Sequence, residues 1–500
     1  LYALSMIAIA FYTKKRAGSV NDFLLAGKKG LNGWMTAFSY GTTYFSAVIF
    51  VGYAGQFGWK YGVAATWIGL GNAFIGSLMA WAVLGRRTRI MTQHIDASTM
   101  PDFFSKRFDS KALKIASAAI IFIFLIPYTA SVYNGLSRLF GMAFDVPYAV
   151  CVIAMAALTG VYVVLGGYMA TAINDFIQGI VMLFGIVAVI VAVLNGQGGF
   201  YQAVMKLSEL ESDVALTLGQ KGVFTSFFGP DLPNLLGVVV LTSLGTWGLP
   251  QMVHKFYAIK DEKAIRYGTI ISTIFAIVVS CGCYFLGGFA RLFDTPAIHA
   301  ADGTVIYDAI IPTILSSLSD ILVGIVIVLV LSASMSTLSS LVLTSSSTLT
   351  LDFIKGNIVK DMDDKKQLFC MRVMLVFFIV ISGLIALDPP TFIAQLRGSS
   401  WGALAGAFLA PFMYGLYWKG VTKAAVWASF ACGVLLTVSN MFFKFIASPI
   451  NAGAAAMIAG MIIVPIVSLI SPKMDKGKLD DIFICLEEKV LVSKRKSIEE

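Results

Sequence analysis

Charge is scarce in this 500-residue chain: only 13% of its residues are charged, against about 25% in an ordinary soluble domain. So few charges cannot cover a soluble globule of this length, which excludes a water-soluble enzyme. Hydrophobic residues reach 58%, which excludes a disordered chain. The six cysteines (Cys151, Cys281, Cys283, Cys370, Cys432 and Cys485) are scattered, most of them within apolar runs. That excludes a disulfide scaffold, and they read as inert core residues. There is no H-E-x-x-H zinc motif and no G-x-x-x-x-G-K-[ST] phosphate loop, so neither zinc-protease chemistry nor ATP hydrolysis by that route is expected. His94, His254 and His299 stand far apart, and no Ser/His/Asp set stands out. The filter string of potassium channels is missing as well. What remains is an all-α polytopic membrane protein that is not an enzyme. The net charge of +9 reads as cationic loops on the cytoplasmic side, not as a nucleic-acid surface.

A spanning helix needs about 20 apolar residues. The chain opens at Leu1 inside an apolar run of about 13 residues, too short to span, and is expected to begin within a truncated first helix. Full spans are predicted at 34–57, 62–84, 115–140, 148–165, 176–194 and 235–256, then at 269–289, 321–343, 371–387, 392–418, 424–443 and 454–470. With the stub this makes about thirteen helices. Lys14-Lys15-Arg16, Arg86-Arg87-Thr88-Arg89, Lys106-Arg107, Lys260, Lys263, Lys365-Lys366 and Lys494-Arg495-Lys496 share one side. The opposite segment, 196–233, carries Glu209, Glu211, Asp213 and Asp231 against Lys206 and Lys221. The basic side is therefore expected to be cytoplasmic, with the N-terminus outside and the C-terminus inside. The tail after Pro472 reads as a solvated cytoplasmic helix, with lipid-headgroup contact the weaker option.

Two spans carry interruptions at comparable register: Ala37 to Ser46, and Ser243-Leu244-Gly245-Thr246-Trp247-Gly248-Leu249-Pro250. Paired broken helices in two halves point to a transport site, because unwinding frees backbone carbonyls that can replace the water shell of a cation. A kink with packing value only is the alternative. Further along, Ala333-Ser334-Met335-Ser336-Thr337-Leu338-Ser339-Ser340 places Ser336, Ser339 and Ser340 on one helix face. These hydroxyls either present oxygens to a small hard cation or bond back to their own helix. Asp175 stands beside a span, where an acid needs a partner or a bound cation; helix capping is its simpler role. Gly166-Gly167 reads as a turn between spans. Arg397 either snorkels to the interface or faces a cavity and binds a carboxylate.

The residues then resemble a known family, the sodium/solute symporters. The carriers are Ser39-Tyr40-Gly41-Thr42-Thr43-Tyr44-Phe45-Ser46, Gly166-Gly167, Asn174-Asp175-Phe176-Ile177-Gln178-Gly179, Met335-Ser336-Thr337-Leu338-Ser339 and Gly415-Leu416-Tyr417-Trp418-Lys419. The resemblance covers nearly the whole chain. Within the family the chain looks closest to the pantothenate, proline and monocarboxylate carriers, and Lys60-Tyr61-Gly62 with Gly248-Leu249-Pro250-Gln251 resembles the pantothenate carriers. The resemblance implies a LeuT-type core of two inverted five-helix repeats, with one preceding helix and two following ones. The implied organisation is 1–33 for the extra helix and linker, 34–196 and 234–419 for the repeats, 197–233 for an extracellular loop, 420–471 for two further helices and 472–500 for the tail.

It also implies a first sodium site from the carbonyls of Thr42, Phe45 and Ala333 and the hydroxyls of Ser336 and Thr337. A second sodium is implied at Asp175, Ser336, Ser339 and Ser340. Where proline carriers have an acid in the first break this chain has Tyr44, and where they have Trp and Tyr it has Thr242 and Thr246. The sugar-binding set is not matched at Tyr44 and Ile49.

The expected activity is sodium-coupled import of a small anionic solute, such as pantothenate or a monocarboxylate, by alternating access. The expected lining is Tyr44, Ser46, Thr246, Trp247, Arg397, Gly398 and Ser399. A plasma-membrane location in the lipid bilayer, function as a monomer and no nucleic-acid partner complete the expectation. A sodium/proline-type carrier, a passive channel and a transport-dead sensor of the same fold are the alternatives.

Overall fold

The computed structural model of the protein describes residues 2–14, 17–25, 31, 33–46, 48–144, 146–316, 318–355, 357–359, 361–388 and 393–487. It is nearly all helical. Among the described residues nine helices are long and apolar enough to cross a membrane. The helices that build the site are α1 (Tyr2–Thr13), α2 (Gly33–Tyr44), α3 (Ala54–Tyr61), α4 (Arg86–His94), α5 (Met100–Phe108) and α6 (Lys111–Phe144). Next come α7 (Tyr148–Gly196), α8 (Leu232–Leu244), α9 (Pro250–Tyr257), α10 (Glu262–Ala276) and α11 (Asp320–Ser347). The chain continues through α12 (Asp364–Leu387), α13 (Ile393–Tyr417), α14 (Lys423–Phe443), α15 (Pro449–Ile470) and α16 (Lys476–Glu487).

Both spans are interrupted, the first later than expected, since Ala37 to Tyr44 are still helical. α2 stops at Tyr44, Phe45 and Ser46 are not helical, and the chain resumes as a wide π-turn at Val48–Tyr53. α8 stops at Leu244, makes a single 3₁₀ turn at Gly245–Trp247, and restarts at Pro250 after an extended Leu249. Proline at the first helical position suits this restart, since its missing N–H is one the helix start leaves unpaired anyway. Further π-turns at Phe74–Met79, Trp81–Gly85, Ile277–Cys281 and Thr348–Ile354 loosen the spans packed around the breaks. Such turns are rare and cluster at functional positions.

α7 runs for 49 residues but is two helices joined at Gly167, whose φ is +56°. The Gly166-Gly167 turn is thus where the sequence places it. A Cβ at Gly167 would meet Phe23 at 2.7 Å, so both the conformation and the space demand glycine. The helix restarts there, not at residue 176. Asp175 is consequently deep inside a helix and fully buried, so the capping role expected of it does not hold.

Small residues bring the last three spans together. A Cβ on Gly402 would lie 2.6 Å from the Cα of Gly453, and one on Gly433 only 2.3 Å from the nitrogen of Ala407. Close backbone approach of this kind is how helices gain van der Waals contact where lipid removes the hydrophobic drive. The tail departs from expectation. α16 docks on α4 and buries Ile482, Phe483 and Cys485. The Arg107 guanidinium sits 4.8 Å from the Phe483 ring while donating to the carbonyls of Gly415 and Trp418. Lys419 pairs with Asp480 at 2.9 Å and Lys478 with Asp109 at 2.6 Å. The sequence suggested a solvated helix because one short amphipathic turn does not announce what covers its apolar side. The basic stretch 494–496 lies outside the described residues.

Candidate ion and solute site

The first break meets the middle of α11. Ser336 Oγ donates to Thr42 Oγ1 at 2.9 Å, and Thr337 Oγ1 donates to the carbonyls of Thr43 and Ala333, both at 3.2 Å. Phe45, Ser46 and Ala333 border a small void closed by Met182, Ile186, Val279 and Leu329. The five residues expected at the first sodium site, Thr42, Phe45, Ala333, Ser336 and Thr337, are thus gathered in one place, and all are buried. A hydroxyl that ties one helix to a carbonyl in the break of another can only sit there because the break has released that carbonyl from its own ladder. Neutral carbonyl and hydroxyl oxygens in an apolar shell suit a small hard monovalent cation.

The set expected at a second sodium is only partly assembled. Ser339 Oγ donates to the carbonyl of Ser336 in its own helix, at 2.8 Å. Asp175 and Ser340 do converge, on a partner that sequence reasoning missed: the Lys255 ammonium. Nζ lies 3.7 Å from Asp175 Oδ2 and donates to Ser39 Oγ at 2.9 Å and Ser340 Oγ at 3.0 Å. The signal was available, because Lys255 falls inside the apolar 235–256 stretch and an ionisable residue there is a site by default. Ser39 and Thr43, which take part in these contacts, were not singled out as site residues, although both lie within the quoted motif.

The second break faces the first. Tyr44 Oη donates to the Thr242 carbonyl at 2.6 Å, and Thr246 Oγ1 and Tyr40 Oη both reach the carbonyl of Gly76, at 3.3 and 2.7 Å. Trp247 Nε1 donates to the carbonyl of Ile75 at 3.0 Å. Tyr44, Ser46, Thr246, Trp247 and Ser399 are all buried. A cleft of about 760 Å³ enters at the Asn234 end of the Leu232–Tyr257 span, between Tyr53, Lys60, Tyr61, Asp231, Tyr307 and Gly398. A second, of about 620 Å³, enters at its Tyr257 end, between Arg89, Asp96, Asp364 and Gln367. The two breaks and the ion cradle lie between these mouths. Gly398 is brought to the first cleft, while the side chain of Arg397 lies outside the described residues.

Broken helices facing one another between two mouths define the LeuT type of transporter, and solved structures of that type superpose on the chain. A sodium-coupled sialic acid symporter, in a substrate-bound outward-open state, aligns over 95% of this chain and 97% of its own with a TM-score of 0.74 and 14% identity. A nucleobase-cation-symport-1 transporter in a closed conformation aligns over 93% and 98% with a TM-score of 0.51 and 12% identity. The model of the sodium:solute symporter family matches residues 23–433, and the chain belongs to that family. A sodium/proline symporter of Staphylococcus aureus is 30% identical over 492 residues, spanning 95% of this chain and 92% of that protein. The protein is accordingly a multi-pass membrane transporter, not an enzyme, and sodium is the ion it couples to.

Proposed function

We propose that the chain imports a small carboxylate-bearing solute together with sodium, which is held by the carbonyls of Thr42, Phe45 and Ala333 and the hydroxyls of Ser336 and Thr337. The observation that carries this reading is the Thr337 hydroxyl, which bridges α11 to the Thr43 carbonyl inside the break. A cation placed there draws the broken helix and α11 together, and that closure is what biases the transporter toward one state. Sodium drives uptake because it binds the two states unequally or raises solute affinity. The membrane potential contributes about 2.3 kcal/mol per charge per 100 mV.

The solute sits between the two breaks against Tyr44, Ser46, Thr246, Trp247, Gly398 and Ser399, with Arg397 as the carboxylate partner. It enters from the cleft beside Lys60 and leaves through the cleft beside Asp96. The chain makes thirteen passes of the plasma membrane as a monomer, with the merged α7 contributing two. The N-terminus is outside, and the side carrying Arg86, Arg87 and Arg89 is cytoplasmic. The solute is a pantothenate-like or other monocarboxylate, or an amino acid such as proline, as the names of the Staphylococcus aureus relatives suggest. Tyr44 and Thr246, in place of the residues implied for proline carriers, favour the first.

The test is a competition panel in proteoliposomes with sodium outside: pantothenate, lactate, pyruvate, L-proline and their amides. Inhibition by the acids but not the amides supports the carboxylate reading. Equal inhibition by acids and amides contradicts it.

A further inference from the structure

The Lys255 ammonium sits in a nest built by three other helices. Ser39 comes from α2, Asp175 from α7 and Ser340 from α11, while Lys255 itself rides on α9. An ammonium only donates, so both serine oxygens accept from it. Ser39 then directs its proton to Asp175 Oδ2, 2.6 Å away, and the Ser340 and Thr43 hydroxyls share a hydrogen bond at 2.9 Å. The face of the Tyr168 ring closes one side, 5.0 Å from Nζ. The Lys255 and Asp175 side chains are 2% and 1% exposed. This nest lies beside the sodium cradle: Thr43 and Thr42 are neighbours on α2, and Ser340 is one helical turn beyond Ser336.

A buried carboxylate with serine hydroxyls around it is a cation site. Here the cation is part of the chain. A sodium ion entering the same oxygens would face the ammonium at contact distance in a medium that screens poorly, so the two exclude each other. Asp175 Oδ1 has no hydrogen-bond partner among the described residues, so the carboxylate keeps unused acceptor capacity for an ion once the amine is gone.

Building on the sodium reading above, we infer that Lys255 is a tethered cation filling the place of a second sodium, so that the chain binds one sodium ion and not two. The second sodium expected at Asp175 and Ser340 is thereby replaced by a charge that cannot leave. An imported monovalent anion then moves with no net charge, and a zwitterion moves with one.

The test counts sodium directly and needs no solute: equilibrium binding of ²²Na⁺ to the full chain in lipid nanodiscs, with choline holding ionic strength constant. The unaltered chain binds one ion at saturation, and Lys255→Ser binds one more than its parent. An unaltered chain that binds two ions overturns the inference. So does a folded, monodisperse Lys255→Ser whose count equals its parent's. Where Lys255→Ser does not fold, the neutral pair Asp175→Asn/Lys255→Met decides. A count equal to the parent's is expected, and a count lower by one, which would mean that Asp175 had held a sodium, overturns the inference. An unaltered chain that binds none refutes the sodium cradle of the proposed function; even then the difference of one between Lys255→Ser and its parent is the result that supports or sinks the role of Lys255.

Discussion

Replacing Thr337 with valine removes one hydroxyl and keeps the side-chain volume, so it isolates the oxygen. In the structure that oxygen spans 3.2 Å to the Thr43 carbonyl and 3.2 Å to the Ala333 carbonyl. On the proposed reading it becomes a ligand once sodium enters the cradle. A polar contact to a full charge is worth about 1.5–3 kcal/mol. At about 1.4 kcal/mol per tenfold, Thr337→Val raises the half-saturating sodium concentration about 10-fold to about 100-fold. Thr337→Ser keeps the oxygen and stays near the parent. Each variant is read from ²²Na⁺ binding isotherms on nanodisc-embedded protein, with thermal unfolding measured alongside. Losing the hydroxyl also leaves the buried Thr43 carbonyl without this donor, at about 1–3 kcal/mol, so the isotherms are compared on folded, monodisperse protein. A valine variant that saturates at the parent's sodium concentration refutes the assignment, as does a serine variant as weak as the valine one.

Tyr44→Phe leaves the Thr242 carbonyl buried without its donor, at about 1–3 kcal/mol, and loosens the contact between the two breaks. Solute affinity falls while maximal sodium binding holds; unchanged solute affinity would separate Tyr44 from the solute site. Gly58→Ala would place a Cβ 1.9 Å from the carbonyl oxygen of Gly287, backbone that cannot yield cheaply. Overpacking of at least about 1–3 kcal/mol follows, read as a lowered unfolding temperature, and a neutral result would contradict the packing. Lys478 beside Asp109 holds that carboxyl below its usual value, and the carboxylate holds Lys478 above its own. Their contact is complete between the ordinary values of about 3.9 and about 10.4, and it is lost as pH falls through the lowered carboxyl value or rises through the raised amine value. With His94, whose ring meets the Asp481 carbonyl at 2.7 Å, replaced by glutamine, the amide protection factors of residues 476–487, corrected for intrinsic exchange, are therefore flat from about pH 6 to about pH 8, and a steep change in that range would implicate another group.

Much of this was legible because the signals are local. The Ala37 to Ser46 and Ser243 to Pro250 interruptions and the Gly166-Gly167 turn are written in glycine, proline and hydroxyl residues that weaken a helix. The hydroxyls of Ser336 and Thr337 stand out against their apolar surroundings. Lys255 was passed over because it stands near the end of its span, where a lysine ordinarily snorkels. Only the packing of α2, α7 and α11 shows that it turns inward. Asp175 read as a cap because hydropathy starts its span at Phe176, whereas the backbone restarts at Gly167. The docking of α16 depends on Arg107 and Phe483, far apart in sequence, and no periodicity links them. The π-turns leave no hydropathy signature because their residues are mostly apolar, like those of the helices around them.

The central claim is that sodium flowing down its gradient powers solute accumulation. In proteoliposomes, a radiolabelled solute chosen from the competition panel should accumulate above its external concentration only while sodium is higher outside, and an ionophore that dissipates the sodium gradient should release it. Equal, non-accumulating uptake with sodium balanced across the membrane would mean a passive pore, and the account would be wrong.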